Sequence, residues 1–362
     1  MKLEIRKEKG EEKRVALTPD SAQKLIKKGH VVMVEATAGM AAGFSDADYQ
    51  KAGASLEIAN TDVRIAIHTP PLEEIKAGSL LMAVMNPLGN PELVKKLAAT
   101  GVTAVALDLI PRTTLAQSMD VLSSQANLAG YWAVVVAASK LPRIFPMMTT
   151  AAGTITPAKV LILGAGVAGL QAVATAKRLG AVVEVFDVRR VVKEQVMSLG
   201  GRFIEVSSTE DAAGEGGYAK ETSEAYQQQQ KELIAKHVAK SDVVITTALI
   251  PGKKAPTLVT KEMVYAMKPG SVMVDLASEQ GGNIELCEPG TEVEIRGVKI
   301  LGYRNVPRFL PFHASQMFGK NIENLLSHLS HKDGSLKLDF NDEITKGCVL
   351  THEGKIIHEK FK

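Results

Sequence analysis

The stretch KVLILGAGVAGLQAVATAKRLGAVVEVFD, Lys159 to Asp187, decides the fold. A short apolar run, Lys159 to Leu163, leads into Gly164-Ala-Gly166-Val-Ala-Gly169, and a helical pattern follows through Leu179. Gly180 ends that helix, Val182 to Phe186 reads as the next strand, and Asp187 falls at its carboxyl tip. Strand, glycine turn, helix, strand and acid form the dinucleotide-binding fingerprint in the context it requires. Gly164 lets the chain turn off the strand, Gly166 leaves room for a pyrophosphate, and Gly169 lets helix and strand pack closely. The helix N-terminus offers unpaired N–H groups and partial positive charge to the phosphates. Asp187 can accept from an adenosine ribose and would repel a 2′-phosphate, which favours NAD(H), while Arg189 and Arg190 beside it soften that preference. The expected cofactor contacts here are Gly164, Gly166, Val167, Ala168, Gly169, Asp187, Val188 and Arg189.

A chain of 362 residues, 45% of them hydrophobic, is long enough for two domains, each with its own core. The net charge of +3, 4% aromatics and the lack of a long basic stripe point away from nucleic acid and from electrostatic docking on a membrane. Cys287 and Cys348 are too few and too far apart for a zinc cluster or a disulfide framework, which suits a reducing cytoplasm, and no metal is expected. The N-terminal MKLEIRKEKGEEKR lacks the apolar core of a signal peptide. Val160 to Ala176 carries no charge and approaches the length of a short membrane span. The glycine turn divides it into a buried strand and a buried helix, so no transmembrane segment is expected.

In chain order, Leu3 to Ile5, Val31 to Glu35, Val63 to Ile67, Leu80 to Met85 and Val102 to Ala106 read as strands. Thr18-Pro19 reads as a helix start and Gly29 as its stop, with Pro91 to Ala99 a further helix. Pro111 to Ala133 begins as a polar loop and passes into an apolar helix from about Ser124 to Leu141, a bridge between domains. The glycine-rich, polar segment Ser207 to Glu232 predicts a mobile surface loop, with Gln227 to Gln230 a solvated helix face. Regular structure resumes at Asp242 to Thr246 and Ser271 to Asp275. Their ends, Thr246, Ala248 and Leu249, and Asp275 to Ala277, fall where a doubly wound sheet binds its ligand. Phe318, Ile322, Leu325, Leu326 and Leu329 mark one apolar helix face, and two strand-like pieces follow, Leu336 to Phe340 and Val349 to Ile357. The expected fold class is α/β, with two Rossmann-like βαβ domains and a cleft between them, the second a doubly wound parallel sheet that binds the dinucleotide. The expected boundaries are 1–125, 126–310 and 311–362, the last segment returning to complete the first domain.

Several motifs carry a family resemblance: RVALTP (Arg14 to Pro19), PRTTLAQSMDVLSSQANLAGY (Pro111 to Tyr131), GAGVAGLQA with its acid, KEQVMSLGG (Lys193 to Gly201), GGYAKE (Gly216 to Glu221), TTALIPGK (Thr246 to Lys253) and MKPGSVMVDLA (Met267 to Ala277). Over essentially its full length the chain resembles domain I of proton-translocating nicotinamide nucleotide transhydrogenases, the NAD(H)-binding alpha component, in the superfamily that includes alanine dehydrogenases. The resemblance implies a homodimer with NAD(H) in the cleft between the domains. It also implies an NADP(H)-binding partner component (domain III), hydride transfer directly between two nicotinamides, and a membrane-spanning proton-channel component (domain II). The chain would then be cytoplasmic, held at the inner (plasma) membrane through its partners. Arg112, Gln117, Asp120 and Ser123 would surround the nicotinamide, Tyr131 would join the cofactor contacts, and Tyr218 would close over the nucleotide. Asp120 and Ser123 offer an acceptor and a hydroxyl that suit a carboxamide, and Arg112 and Gln117 supply donors.

Two alternatives remain. An alanine dehydrogenase needs a cation for its substrate and an acid–base group; the family's lysine and histidine align here with Thr69 and Asn86, with His68 next to the first. A non-catalytic NAD-binding module is the other. Leu115 and Trp132 stand where arginine is expected, and Arg308-Phe309 replaces a Ser-Arg or Gly-Arg pair.

Overall fold

The computed structural model describes residues 1–206, 223–331 and 333–362. The chain divides into two compact units, Met1–Gln125 with Pro307–Lys362, and Ala126–Val306. In the first unit, β1 (Lys2–Ile5), β2 (Val31–Val34), β3 (Val63–His68), β4 (Leu80–Val84) and β5 (Thr103–Ala106) lie parallel in the order β5-β4-β3-β1-β2. These strands are almost continuously apolar and buried, as a parallel sheet covered on both faces requires. Thr18 starts the helix Pro19–Lys27: its hydroxyl accepts the Ser21 N–H at 3.4 Å, and Pro19 needs no donor in the first turn.

The second unit opens with an exposed hairpin, β6 (Met148–Thr150) and β7 (Gly153–Ile155). Its sheet comprises β8 (Lys159–Leu163), β9 (Val182–Phe186), β10 (Arg202–Ile204), β11 (Val243–Thr246), β12 (Val272–Asp275), β13 (Glu292–Ile295) and β14 (Val298–Leu301). The order is β10-β9-β8-β11-β12-β14-β13, parallel except for β13. Strand order reverses between β8 and β11. In such sheets the crevice beyond the carboxyl ends of the two strands at the reversal is where ligands bind. The chain then returns to the first sheet, where β15 (Val349–His352) pairs antiparallel with β5 and β16 (Lys355–Ile356) with β15. The helix Pro311–His328 buries Phe318, Ile322, Leu325 and Leu326 in the first unit's core, and Leu329 just beyond its end joins them.

Three local expectations are corrected. Residues 336–340 form no strand: a single bridge, Ser330 to Leu336, ties them to the end of the preceding helix, and no ladder can build from it. The apolar helix begins three residues before Ser124, as Val121–Lys140, because Asp120 caps it. Within 207–232, the helix expected at 227–230 is part of a longer one, so residues 224–232 are not loop. Ser223 caps the helix Glu224–Val238 by accepting the Tyr226 N–H, and Tyr226, Ile234 and Val238 anchor it to a core while residues 227–229 face solvent. Residues 207–222 lie outside the described part of the chain.

The uncharged run 160–176 is split at Gly164 into β8 and the helix Val167–Arg178. Among the described residues one helix, Val121–Lys140, is long and apolar enough to cross a membrane by length and composition. Its Ala133, Val134 and Ala137 pack into the second unit's core.

Burial sets the chemistry of both thiols. It is the main cause that pushes Cys287 up to about 12, assisted by the nearby Asp275 carboxylate, and it pushes Cys348 to about 12 as well. Thiols held neutral in this way are poor nucleophiles. Neither cysteine should react with a disulfide reagent within minutes at pH 8 in the native protein, and both should react once it is unfolded; fast native labelling of either would contradict the packing.

Candidate nucleotide site

The fingerprint of the second unit is organised by main-chain crowding. Gly164 leaves β8 with φ 104°, a conformation suited to glycine, and its N–H donates to Phe186 O at 2.8 Å. A Cβ at Gly169 would fall 1.9 Å from Gly164 O, so only glycine lets the helix pass that close to the strand end. A Cβ at Gly166 would meet nothing within 4 Å. Gly166 therefore borders open space at the start of the helix Val167–Arg178, whose N-terminus no side chain caps among the described residues. Uncapped N–H groups facing open space are the arrangement that anion binding at a helix start uses.

Asp187, buried at the end of β9, holds this turn together. Its Oδ2 accepts the Ala165 N–H at 2.7 Å, and its Oδ1 accepts the Arg189 N–H at 2.9 Å. The Arg189 guanidinium grips the same carboxylate, with Nε to Oδ1 at 2.8 Å and Nη2 to Oδ2 at 2.6 Å. Val167, Ala168 and Val188 flank this cluster and are partly exposed.

Across the strand-order reversal, the loop after β11 is built by side chains. Thr247 Oγ1 donates to Gly164 O at 3.1 Å. Ala248 is held from both sides by Asn283, whose Oδ1 accepts the Ala248 N–H at 3.0 Å and whose Nδ2 donates to Ala248 O at 2.9 Å and Pro256 O at 2.8 Å. Thr246 is fully buried and donates to Asp275 Oδ1 at 3.0 Å, so its side chain braces the sheet end. Asp275 also accepts from Ala277, Asn283 and Ile284 N–H groups. Burial raises its carboxyl above the usual range, and these donors oppose the shift. Ala248 and Leu249 remain partly exposed beside Gly164.

Tyr131 is exposed on the long helix, and the residue before it, Gly130, packs on the fingerprint: a Cβ there would fall 2.1 Å from Ala168 O. Trp132 packs edge-on against Tyr303, with ring centroids 4.9 Å apart. Tyr218 lies outside the described residues.

In the first unit, the loop before the long helix is a capped turn. Asp120 Oδ1 accepts the Ser123 N–H at 2.9 Å and its Oδ2 accepts the Ser123 hydroxyl at 2.6 Å. Arg112 and Gln117 are both exposed. The turn is pinned from below: Ser118 O accepts from Asn321 Nδ2 at 2.8 Å and Asn324 Nδ2 at 2.9 Å, both on the helix Pro311–His328. Leu115 is exposed, and Arg308 pairs with Glu11 and lies over the Phe309 ring.

Asn283, Gly130, Asn321 and Asn324 escaped the sequence reading. Their partners are main-chain atoms far away in sequence, so no local spacing marks them. The first unit also places a charged cluster beyond β1 and β3. Arg14 donates to both oxygens of Glu12 and to Gln125, and His68 Nε2 lies 2.9 Å from Glu12 Oε2. Burial alone would raise the Glu12 carboxyl, but the hydrogen bonds from Arg14 and His68 outweigh it and hold it well below the usual range. Thr69 donates to Val84 O at 3.3 Å, and Asp108 accepts the Asn86 N–H at 2.8 Å.

Two family models cover the chain, the alanine dehydrogenase/PNT N-terminal domain at residues 4–129 and the C-terminal domain at 133–359. An NAD(P) transhydrogenase alpha-subunit protein of Rhodospirillum rubrum is 47% identical, over 99% of this chain and 98% of that protein. The crystal structure of transhydrogenase from Sinorhizobium meliloti superposes with a TM-score of 0.86 at 44% identity, over 99% of this chain and 100% of the other. Alanine dehydrogenase of Halomonas elongata is 31% identical over 99% of this chain and 95% of its own length.

The crowding at Gly130 gives a direct test. Gly130→Ala would drive a methyl group into the Ala168 carbonyl, and overpacking of this kind costs about 1–3 kcal/mol. Chemical denaturation should show a loss of that size, with weakened NADH binding as the start of the fingerprint helix is displaced; an unchanged midpoint would mean that the two helices do not meet as described.

Proposed function

From the premise that the chain belongs to the alanine dehydrogenase/PNT family, we propose that it is the NAD(H)-binding component of a proton-translocating NAD(P) transhydrogenase. The observation that carries this reading is the fingerprint turn itself: an open space at Gly166, an uncapped helix start and the acid Asp187 tied to Ala165. The phosphates would rest on residues 164–169 and the adenosine ribose on Asp187, with Val188, Arg189, Ala248, Leu249 and Tyr131 around the nucleotide. Thr246 supports this site from within.

Bound NAD(H) supplies the hydride carbon. The transfer NADH + NADP⁺ → NAD⁺ + NADPH releases no proton at the reacting carbons, so the chain's residues have to orient the ring and exclude water. Reacting atoms must come within about 3–3.5 Å of each other. Arg112, Gln117, Asp120 and Ser123 would do this around the nicotinamide. The Asp120–Ser123 cap and the two asparagines beneath Ser118 keep that turn in place. Tyr218 would close over the nucleotide. NADP(H) would be held by a partner component, and a membrane component would move protons, with this chain a homodimer attached to the membrane through them. Relatives bearing the names of transhydrogenase alpha subunits favour this arrangement.

Amino-acid deamination finds no support in the first unit's charged cluster. Arg14 is spent on Glu12 and Gln125, and Thr69 and Asn86 are neither cationic nor acid–base groups. L-alanine with NAD⁺ should give no NADH.

Three measurements test the proposal. NADH should quench or enhance fluorescence on binding, and mixing with an NADP(H)-binding transhydrogenase component should allow hydride exchange; binding without exchange would leave only a nucleotide-binding module. Asp187→Asn replaces an acceptor with a donor facing Ala165 or Arg189 and should weaken NADH by about 1.5–3 kcal/mol, as for loss of a charge-assisted hydrogen bond. Gln117→Asn should leave NADH affinity intact and slow single-turnover hydride transfer; an unchanged rate would remove Gln117 from the site.

A further inference from the structure

The donors on Asp187 leave little capacity for a ribose. A carboxylate has about four lone-pair positions. Here they meet the Ala165 N–H, the Arg189 N–H, and Nε and Nη2 of the Arg189 guanidinium. The two main-chain donors belong to the glycine turn and the turn after β9, and they cannot leave without unfolding the loop. The guanidinium, at the end of a long side chain, is the donor whose replacement leaves both turns intact. The ion pair is well shielded, with 5% of the Asp187 side chain and 13% of the Arg189 side chain exposed, so its bonds are not diluted by water.

Resting on the nucleotide reading of this site, we propose that Arg189 is a displaceable latch on Asp187: the ribose diol of NAD(H) takes the guanidinium's place on the carboxylate, and the latch sets both cofactor release and the discrimination between NADH and NADPH. The guanidinium holds the ribose position until a nucleotide arrives and competes with NADH from within the same chain. Once displaced, it is still tethered two residues from Asp187, where a 2′-phosphate would lie. A cation there offsets the repulsion between Asp187 and that phosphate. The latch therefore costs NADH affinity and favours NADPH, and it gives the departing ribose a ready replacement, which speeds exchange.

The test compares the full-length wild type with Arg189→Gln and Arg189→Lys, using NADH and NADPH titrations and stopped-flow NADH release. Arg189→Gln should slow NADH release and raise the NADH-over-NADPH affinity ratio, each by about five- to tenfold, the scale of one shielded charge-assisted bond. Arg189→Lys keeps the charge but loses the two-pronged grip, and it should fall between the other two. A purely structural Arg189 would weaken both nucleotides together. Failure of the wild type to bind NADH would overturn the nucleotide reading and the latch with it. Wild-type binding, with a ratio unchanged or lowered in Arg189→Gln, would overturn the latch alone. If Arg189→Gln melts early, Arg189→Lys decides: weaker NADH binding than wild type overturns the latch, and tighter binding supports it.

Discussion

At Gly164 and Gly169 the surrounding atoms leave no room for a side chain, and the second unit is arranged to suit that crowding. The helix touches the strand end at Gly169, the long helix touches the fingerprint at Gly130, and the loop after β11 presses on Gly164, where a Cβ would fall 2.6 Å from Thr247 Oγ1. Three segments from distant parts of the sequence are thereby fixed against one turn. Close packing of this kind carries small displacements from one segment to the next. The exception is Gly166, whose missing side chain faces open space. The crowding on three sides directs the unpaired N–H groups of the helix start toward the remaining one.

Buried carboxylates do the complementary work. Asp187 and Asp275 each collect several main-chain N–H groups of a loop, Asp120 takes the N–H and hydroxyl of Ser123, and the half-buried Asp108 beyond β4 takes the N–H groups of Met85 and Asn86. A carboxylate removed from water needs several donors, and short loops have N–H groups with no sheet partner. An acid at the end of a strand meets both needs. Asp187 thus has a structural task that exists before any nucleotide arrives, and the group proposed to meet a ribose also holds the turn proposed to meet phosphate.

What was legible in the sequence follows from the range of each interaction. β8, the glycine turn and β9 could be read because their geometry is dictated by neighbours within a few residues, as could the helix Pro91–Ala99 and the Thr18 cap. The family motifs extended this to the loop at 112–123. The long helix starts three residues before Ser124, the start read from the sequence, because its first turn is set by the Asp120 cap. Residues 336–340 carried strand-like composition but found no sheet edge, a fact fixed by packing alone. Asn283 and Gly130 were invisible for the same reason: each matters through main-chain groups far along the chain.

These features bear on how the proposed hydride carrier would behave. A protein that needs no acid or base for its chemistry gains rate from fixed geometry and from prompt exchange of its cofactor. Fixed geometry is built into the chain itself, since the turns on Asp187, Asp275 and Asn283 already have their hydrogen bonds. At Asp187, binding would then substitute one set of partners for another, so this turn adds little ordering cost. The uncapped helix start keeps donors in reserve for a nucleotide, whereas the Asp187 carboxylate already has its hydrogen bonds. Preorganisation of this kind would limit the affinity gained at the ribose, which would suit a cofactor that leaves after every transfer in the proposed reaction.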